Sequence, residues 1–393
     1  MYILYLNNAS TTKPYEKVIE DFVYCAKNYW HNPSDVSEEG LAAKEIIKTA
    51  QKQIADSINA KPGEIYFTSG GSESNNWAIK GAVDNYRFNF IISTEIEHPS
   101  VYNTCKAMEE CGAETVYVPV DEYGRVILDE LKRAIKKQLG FWNFLYTDSD
   151  DVNFLASIMM ANNEIGTVQD IAAISEIVHE YGGLLHVDAV QAYMHMPIDV
   201  EAMGIDMMST SFHKFGGFKN CGFLYVREEI ELTPLIHGGH QFGSMRAGTE
   251  NVPMIYAMGN HVERYKKEDV MEALFMYLFI KVMEHKGKEY DVSINGSFSH
   301  RLYNNLSFTF KGVSADTLIG LLEIQGVYVS AGSACCSGEK TPSRVLKAIG
   351  LSDEEAFSTI RVSLSSDTTK EDIDFFVEKL VECIGSIKMF MEE

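Results

Sequence analysis

Apolar residues repeat at two distinct spacings along the first half of the chain. Ala43, Ile46, Ile47, Ala50, Ile54 and Ile58 recur at helical intervals, which places them on one face of a helix. Short apolar runs follow: Ile65–Thr68, Phe90–Ser93, Thr115–Pro119, Phe154–Met160, Leu184–Asp188, Asp206–Thr210 and Phe223–Val226. Runs of this length read as strands buried on both faces. Helical patterns around 99–110, 127–137 and 171–181 separate several of them. This alternation predicts an α/β fold whose mostly parallel, seven-stranded sheet is covered on both sides.

Past about residue 262 the pattern changes. A charged helical stretch, Glu263–Glu272, leads into fewer and more separated strands, an expected smaller α+β domain. The first dozen residues are expected to complete it. The division is then 14–261 for a large domain, and 1–13 with 262–393 for a small one. Leu139–Asn153, which carries Asp148, Asp150 and Asp151, reads as an exposed loop or hairpin.

Composition narrows the function. A chain of 393 residues is too long for one small core. With 34 basic and 56 acidic side chains its formal net charge is -22, a surface that repels phosphate backbones. Nucleic acid is therefore not an expected partner, whereas a protein with basic patches is compatible. No apolar run approaches the roughly 20 residues that span a bilayer. Met1–Asn8 lacks the basic start and apolar stretch of a signal peptide, so no membrane and a cytoplasmic location are expected. The seven cysteines are scattered and odd in number, which argues against a disulfide framework. No Cys/His spacing suggests a metal, and none is expected.

Four places carry candidate chemistry. In Thr68-Ser69-Gly70-Gly71-Ser72-Glu73 a strand ends in two glycines before a helix, which is either a tight turn with a serine cap or an anion site. Asp188 closes an apolar strand, where ligand crevices of parallel sheets lie. It reads as a helix cap or as the partner of a protonated ring nitrogen. Lys214, in Ser211-Phe212-His213-Lys214, follows another strand; partial burial would lower its pKa and make it a Schiff-base candidate. His98 stands after a third strand, either as a loop histidine or as a proton carrier against a ring. A phosphate site, an acid and a lysine in this order are what a pyridoxal-phosphate enzyme needs. Two further features stand apart. Cys335 and Cys336 lie in a loop of small residues, a setting that suits a reactive thiol. Arg361 alternates within a strand-like run, as a salt-bridged strand residue or a carboxylate clamp.

Taken together these segments resemble the cysteine desulfurases, within the class V aminotransferase group of pyridoxal-phosphate enzymes. Tyr5-Leu6-Asn7-Asn8-Ala9 is similar to the family's start, and Asn162-Asn163-Glu164-Ile165-Gly166 to its N-N-E-I-G. His186-Val187-Asp188-Ala189, Ser211-Phe212-His213-Lys214, Arg246-Ala247-Gly248-Thr249 and Gly332-Ser333-Ala334-Cys335 match as well, and the likeness spans nearly the whole chain. The resemblance implies fold type I and a homodimer with active sites near the subunit interface. It implies pyridoxal 5'-phosphate bound covalently to Lys214, with Asp188 on the ring nitrogen, Gln191 on the ring oxygen and His98 stacked on the ring. Gly71, Ser72, Ser211 and His213 would hold the phosphate, with Thr249 reaching in from the other subunit. Asn163 and Arg361 would hold the carboxylate of L-cysteine, and Cys335 would take its sulfur as a persulfide for an acceptor protein.

Some positions depart from the family pattern. His240 stands where a glycine is usual, Gly217-Phe218-Lys219-Asn220 replaces G-P-K-G, Asn7 replaces an aspartate, and Ser72 a threonine. Cys336 is expected to be a bystander thiol. A selenocysteine lyase or another class V enzyme is the nearest alternative, and a non-catalytic scaffold relative is the alternative of another class.

Overall fold

The computed structural model describes residues 2–145, 154–265, 270–331 and 341–392. A short strand β1 (Leu4–Tyr5) opens the chain. The seven apolar runs then form one sheet from β2 (Ile65–Thr68), β3 (Phe90–Thr94), β4 (Glu114–Val118), β5 (Phe154–Met159), β6 (Leu184–Asp188), β7 (Met207–Ser209) and β8 (Gly222–Val226). Their spatial order is β2-β8-β7-β6-β5-β3-β4. Neighbours from β7 to β4 pair in parallel, and β8 runs antiparallel to both β2 and β7. Since β8 opposes both, β2 points the same way as the parallel strands. β3, β5 and β8 are buried at every position, as strands covered on both faces must be.

Two apolar clusters cover the faces. One gathers the helix Glu38–Ser57 through Ala43, Ile47, Ala50 and Ile54. The other packs Trp77, Ile79 and Ala82 of the helix Gly71–Tyr86 with Val101 and Cys105 of the helix Pro99–Glu110. The expected loop beginning at Leu139 is a correction: it is the end of the helix Leu128–Leu145. Buried Leu131 and Ile135 are followed by Leu139 and Trp142 against the same core, so the helical spacing simply continues. Residues 146–153 lie outside the described part.

A separate antiparallel sheet contains β9 (Val292–Asn295), β10 (Asn305–Phe310), β12 (Ser330–Ala331) and β13 (Thr359–Ser363), in the order β12-β13-β10-β9. β1 pairs in parallel with β11 (Val327–Tyr328), and Leu4 and Leu6 join the apolar cluster beneath this sheet. Asn7 bridges Ser363, so the first residues cross the small sheet toward the large one. Val345, Leu346, Ile349 and Ala356 pack into the large-sheet cluster instead. No helix of the described residues is long and apolar enough to cross a membrane.

Candidate active site

The parallel strands, with β2, end at one edge of the sheet, and the chain leaving each end supplies one part of a cavity of about 860 Å³. β2 leads into Gly70 and Gly71, β3 into His98, β5 into Asn163, and β7 into Ser211 and Lys214; Asp188 is the last residue of β6. Arg361, from β13 of the small sheet, closes the cavity from the opposite side. Ten of the eleven candidate residues in the described part therefore converge only because the strands run side by side.

The glycine turn makes a cradle. Gly70 has φ +133°, a left-handed conformation that disfavours any side chain. A Cβ on Gly71 would meet Val190 Cγ2 at 2.6 Å. Gly71 starts the helix Gly71–Tyr86, so its first N–H groups lie at the cavity beside Ser72, Ser211 and His213. Burial, then the charges of Lys214 and Lys219, lower the His213 pKa to about 4, so its imidazole is neutral.

Asp188 is buried and has no ion-pair partner among the described residues. Its Oδ1 accepts from the Val190 N–H at 3.0 Å and its Oδ2 from Asn75 Nδ2 at 2.8 Å. Lys214 Nζ donates to the carbonyl oxygens of Ala9 and Ser10, each at 2.8 Å. Gln191 Nε2 donates to the same Ala9 oxygen at 2.9 Å, and His213 Nδ1 lies 3.1 Å from Thr11 Oγ1. The N-terminal segment thus lies directly over the lysine. Burial, with the nearby Arg361 charge, lowers the Lys214 pKa to about 8, while Asp188 opposes the shift.

Arg361 is buried without a carboxylate partner among the described residues. It donates through Nη1 to Asn163 O at 2.8 Å, and through Nη2 to Asn7 Oδ1 at 2.8 Å and Ser10 Oγ at 2.7 Å. Its Nε is buried and unpartnered. Asn163 contributes its carbonyl here, and Asn305 Nδ2 donates to that same oxygen at 3.0 Å. Two buried carboxyls also line the cavity. Burial lifts the Glu97 pKa to about 8 and the Glu164 pKa to about 7. Glu97 Oε1 accepts from Thr94 Oγ1 and from the Met159 N–H, and Glu164 accepts from Ser343 Oγ at 2.5 Å.

Thr249 does not line the cavity; it is exposed on this chain. His240, with φ −96°, holds an ordinary backbone conformation, exposed and 3.0 Å from Ser244 Oγ. The imidazole therefore strains nothing at its own position; the left-handed conformations fall at Phe242 and Ser244. Asn220 takes φ 58°, which asparagine tolerates better than most residues, and Phe218 packs on Phe22 with ring centroids 5.1 Å apart. Cys335 and Cys336 lie outside the described residues; β12 ends at Ala331 and the chain resumes at Thr341, and both of these line the cavity. The sequence reading missed Asn75, Ser100 and the carbonyls of Ala9 and Ser10. Asn75 had a signal, one helical turn beyond Gly71; main-chain carbonyls have none.

Comparison with known proteins gives the family. The family model described as aminotransferase class-V matches residues 4–376. A cysteine desulfurase IscS of Methanosarcina thermophila is 40% identical, over 98% of this chain and 93% of its own. A solved NifS-like protein superposes with a TM-score of 0.87 at 33% identity, covering 98% of this chain and 100% of that one. SspA, solved in complex with cysteine, gives a TM-score of 0.79 at 36% identity over 92% and 98% of the two chains. The chain belongs to the class V aminotransferases and, within them, to the cysteine desulfurase family.

Proposed function

We propose that this protein is a pyridoxal-phosphate-dependent cysteine desulfurase that converts L-cysteine to L-alanine and passes the sulfur to Cys335. One observation carries the reading. Among the described residues, a single cavity holds a buried acid without an ion-pair partner, Asp188, a lysine with a depressed pKa, Lys214, and a buried arginine without a carboxylate partner, Arg361. Each supplies the charge that one end of an amino acid or of the cofactor lacks.

The residues fit the cofactor. The Gly70–Gly71 turn leaves room where any side chain would intrude, and Gly71, Ser72, Ser211 and His213 would hold a phosphate there. Asp188 would pair with the ring nitrogen, Gln191 with the ring oxygen and Lys214 with the aldehyde, with His98 on the ring face. Thr249 would come from the second subunit of a homodimer. When bound, pyridoxal phosphate supplies an electron-withdrawing ring that stabilises proton loss at Cα of an amino acid.

The protein's own groups do the rest. Arg361 and the Asn163 turn orient the substrate carboxylate, and the guanidinium fork suits that planar group. Lys214 Nζ, neutral through part of its population at physiological pH, receives the Cα proton. His98 would carry protons within the cavity through Nε2. The Cys335 sulfur bonds to the substrate sulfur as the C–S bond of cysteine breaks, leaving a persulfide for an acceptor protein and alanine as product. The large domain would be 14–261, and the small domain 1–13 with 262–393.

Purified, cofactor-loaded protein should release alanine from L-cysteine in the presence of a reductant, with equal sulfide. Lys214→Ala and Cys335→Ser should both abolish it. Cofactor absorbance without alanine would overturn the assignment.

A further inference from the structure

Asp188 ends β6 and His98 follows β3, yet an unbroken run of hydrogen bonds joins them. Asn75 Nδ2 donates to Asp188 Oδ2 at 2.8 Å and to Ser100 Oγ at 2.8 Å. Ser100 Oγ lies 2.7 Å from His98 Nδ1, and the Ser100 backbone N–H also points at that nitrogen, at 3.1 Å. A backbone N–H can only donate, so Nδ1 is an acceptor and the neutral ring carries its proton on Nε2. The Ser100 hydroxyl hydrogen is then directed at Nδ1, since its oxygen already accepts from Asn75. Turning the Asn75 amide over would set its oxygen against the Asp188 carboxylate, so the direction of the whole run is determined.

The parts are held rigidly. Asn75 is buried in the helix Gly71–Tyr86. Ser100 stands in the first turn of the helix Pro99–Glu110, for which His98 is the N-cap. Thr104 Oγ1 donates to the Ser100 carbonyl at 2.7 Å. Nε2 makes no hydrogen bond among the described residues, and His98 lines the cavity.

We propose that Asn75 and Ser100 are positioning residues that couple Asp188 to His98 and keep the His98 proton on Nε2, the nitrogen left for the reaction. This rests on the functional reading given above only in assigning His98 and Asp188 to the reaction; the hydrogen-bond run itself does not. Protonating Nδ1 would bring its hydrogen against the Ser100 N–H, so the run opposes the imidazolium. The other charged groups around His98 act with it or against it. Desolvation lowers its pKa most, Asp188 raises it, and Lys214 and Arg344 lower it. Glu97 precedes it in the chain, and Lys80 lines the smaller cavity on its other side.

The test is ¹⁵N and ¹³C NMR of the His98 ring in full-length, cofactor-loaded protein, assigned with His98→Gln. It reports tautomer and titration midpoint whatever reaction the protein performs, so it can fail independently of the desulfurase assignment. The wild-type neutral ring should be protonated on Nε2. Ser100→Ala removes a donor to the neutral ring, so the midpoint should rise by about half a pH unit or more, and Ser100→Thr should restore it. Asn75→Ala should move it in the same direction; Asn75→Ser serves if that variant does not fold. In the loaded enzyme the same change should shift the acid limb of kcat, with KM altered less than about twofold. A wild-type ring protonated on Nδ1, or an unchanged midpoint in Ser100→Ala, overturns the proposal. So does an unchanged midpoint in a folded Asn75 variant.

Discussion

Arg361 donates to the carbonyl oxygen of Asn163 at 2.8 Å, and this bond joins β13 of the small sheet to the turn after β5 of the large one. Among the described residues the guanidinium is aimed at the cavity by neutral acceptors: Asn163, Asn7 and Ser10. A buried cation that is hydrogen-bonded but not neutralised retains its attraction for an incoming anion.

Replacing Arg361 with Ala should therefore lower kcat/KM for L-cysteine by about 100-fold, mostly through KM. Lysine keeps the charge but not the fork, so Arg361→Lys should recover only part of the loss. Steady-state alanine release measures both. An unchanged KM in Arg361→Ala would remove it from carboxylate binding.

The Lys214 amine is charged below a pH of about 8 and neutral above it. Only the neutral amine attacks an aldehyde. Covalent uptake of pyridoxal phosphate by the cofactor-free protein, trapped with borohydride, should therefore accelerate as pH rises through about 8. An ordinary exposed lysine would show that rise about two units higher. A rate profile that rises only near pH 10 would mean the lysine is not desolvated.

Glu164 and Glu97 have folded pKa values of about 7 and about 8, well above the unfolded carboxyl range. Between the unfolded and folded values the folded state binds more protons, so stability falls as pH rises through that window. Their contribution is complete below about pH 4 and lost by about pH 8. Glu164→Gln, which keeps an acceptor for Ser343, should flatten the decline between about pH 5 and 7. Thermal melts of both proteins across this range give the comparison; parallel curves would show that Glu164 ionises normally.

A Cβ on Gly71 would lie 2.6 Å from Val190 Cγ2. Gly71→Ala should cost about 1–3 kcal/mol in stability and weaken cofactor binding, as overpacking at a tight site does. Removing the obstructing methyls in Gly71→Ala/Val190→Ala should restore both. Equal defects in the single and double variants would place the requirement for glycine elsewhere.

Much of this site was legible before any coordinates. Asp188 and Lys214 each follow an apolar run, and His98 follows a third, so local sequence was enough to put all three at strand ends. Asn75 and Ser100 were not legible as partners, because 25 residues separate them and nothing in the local sequence pairs the two. Nothing in the local sequence marks Glu97 as buried, yet it packs against the backbone of β5. The helix running to Leu145 shows the reverse case: its spacing was present at Leu139 and Trp142, but the acidic run after it read as loop.

The sequence by itself determined the strand–helix alternation, the glycine turn and the order of acid and lysine, because those depend on neighbours within a few residues. Only the tertiary structure decided which strand lies beside which, and so that Ala9, Asp188, Lys214 and Arg361 face one cavity. Charges on distant segments acquire perturbed pKa values, counter-ions or none only when packing removes the water between them.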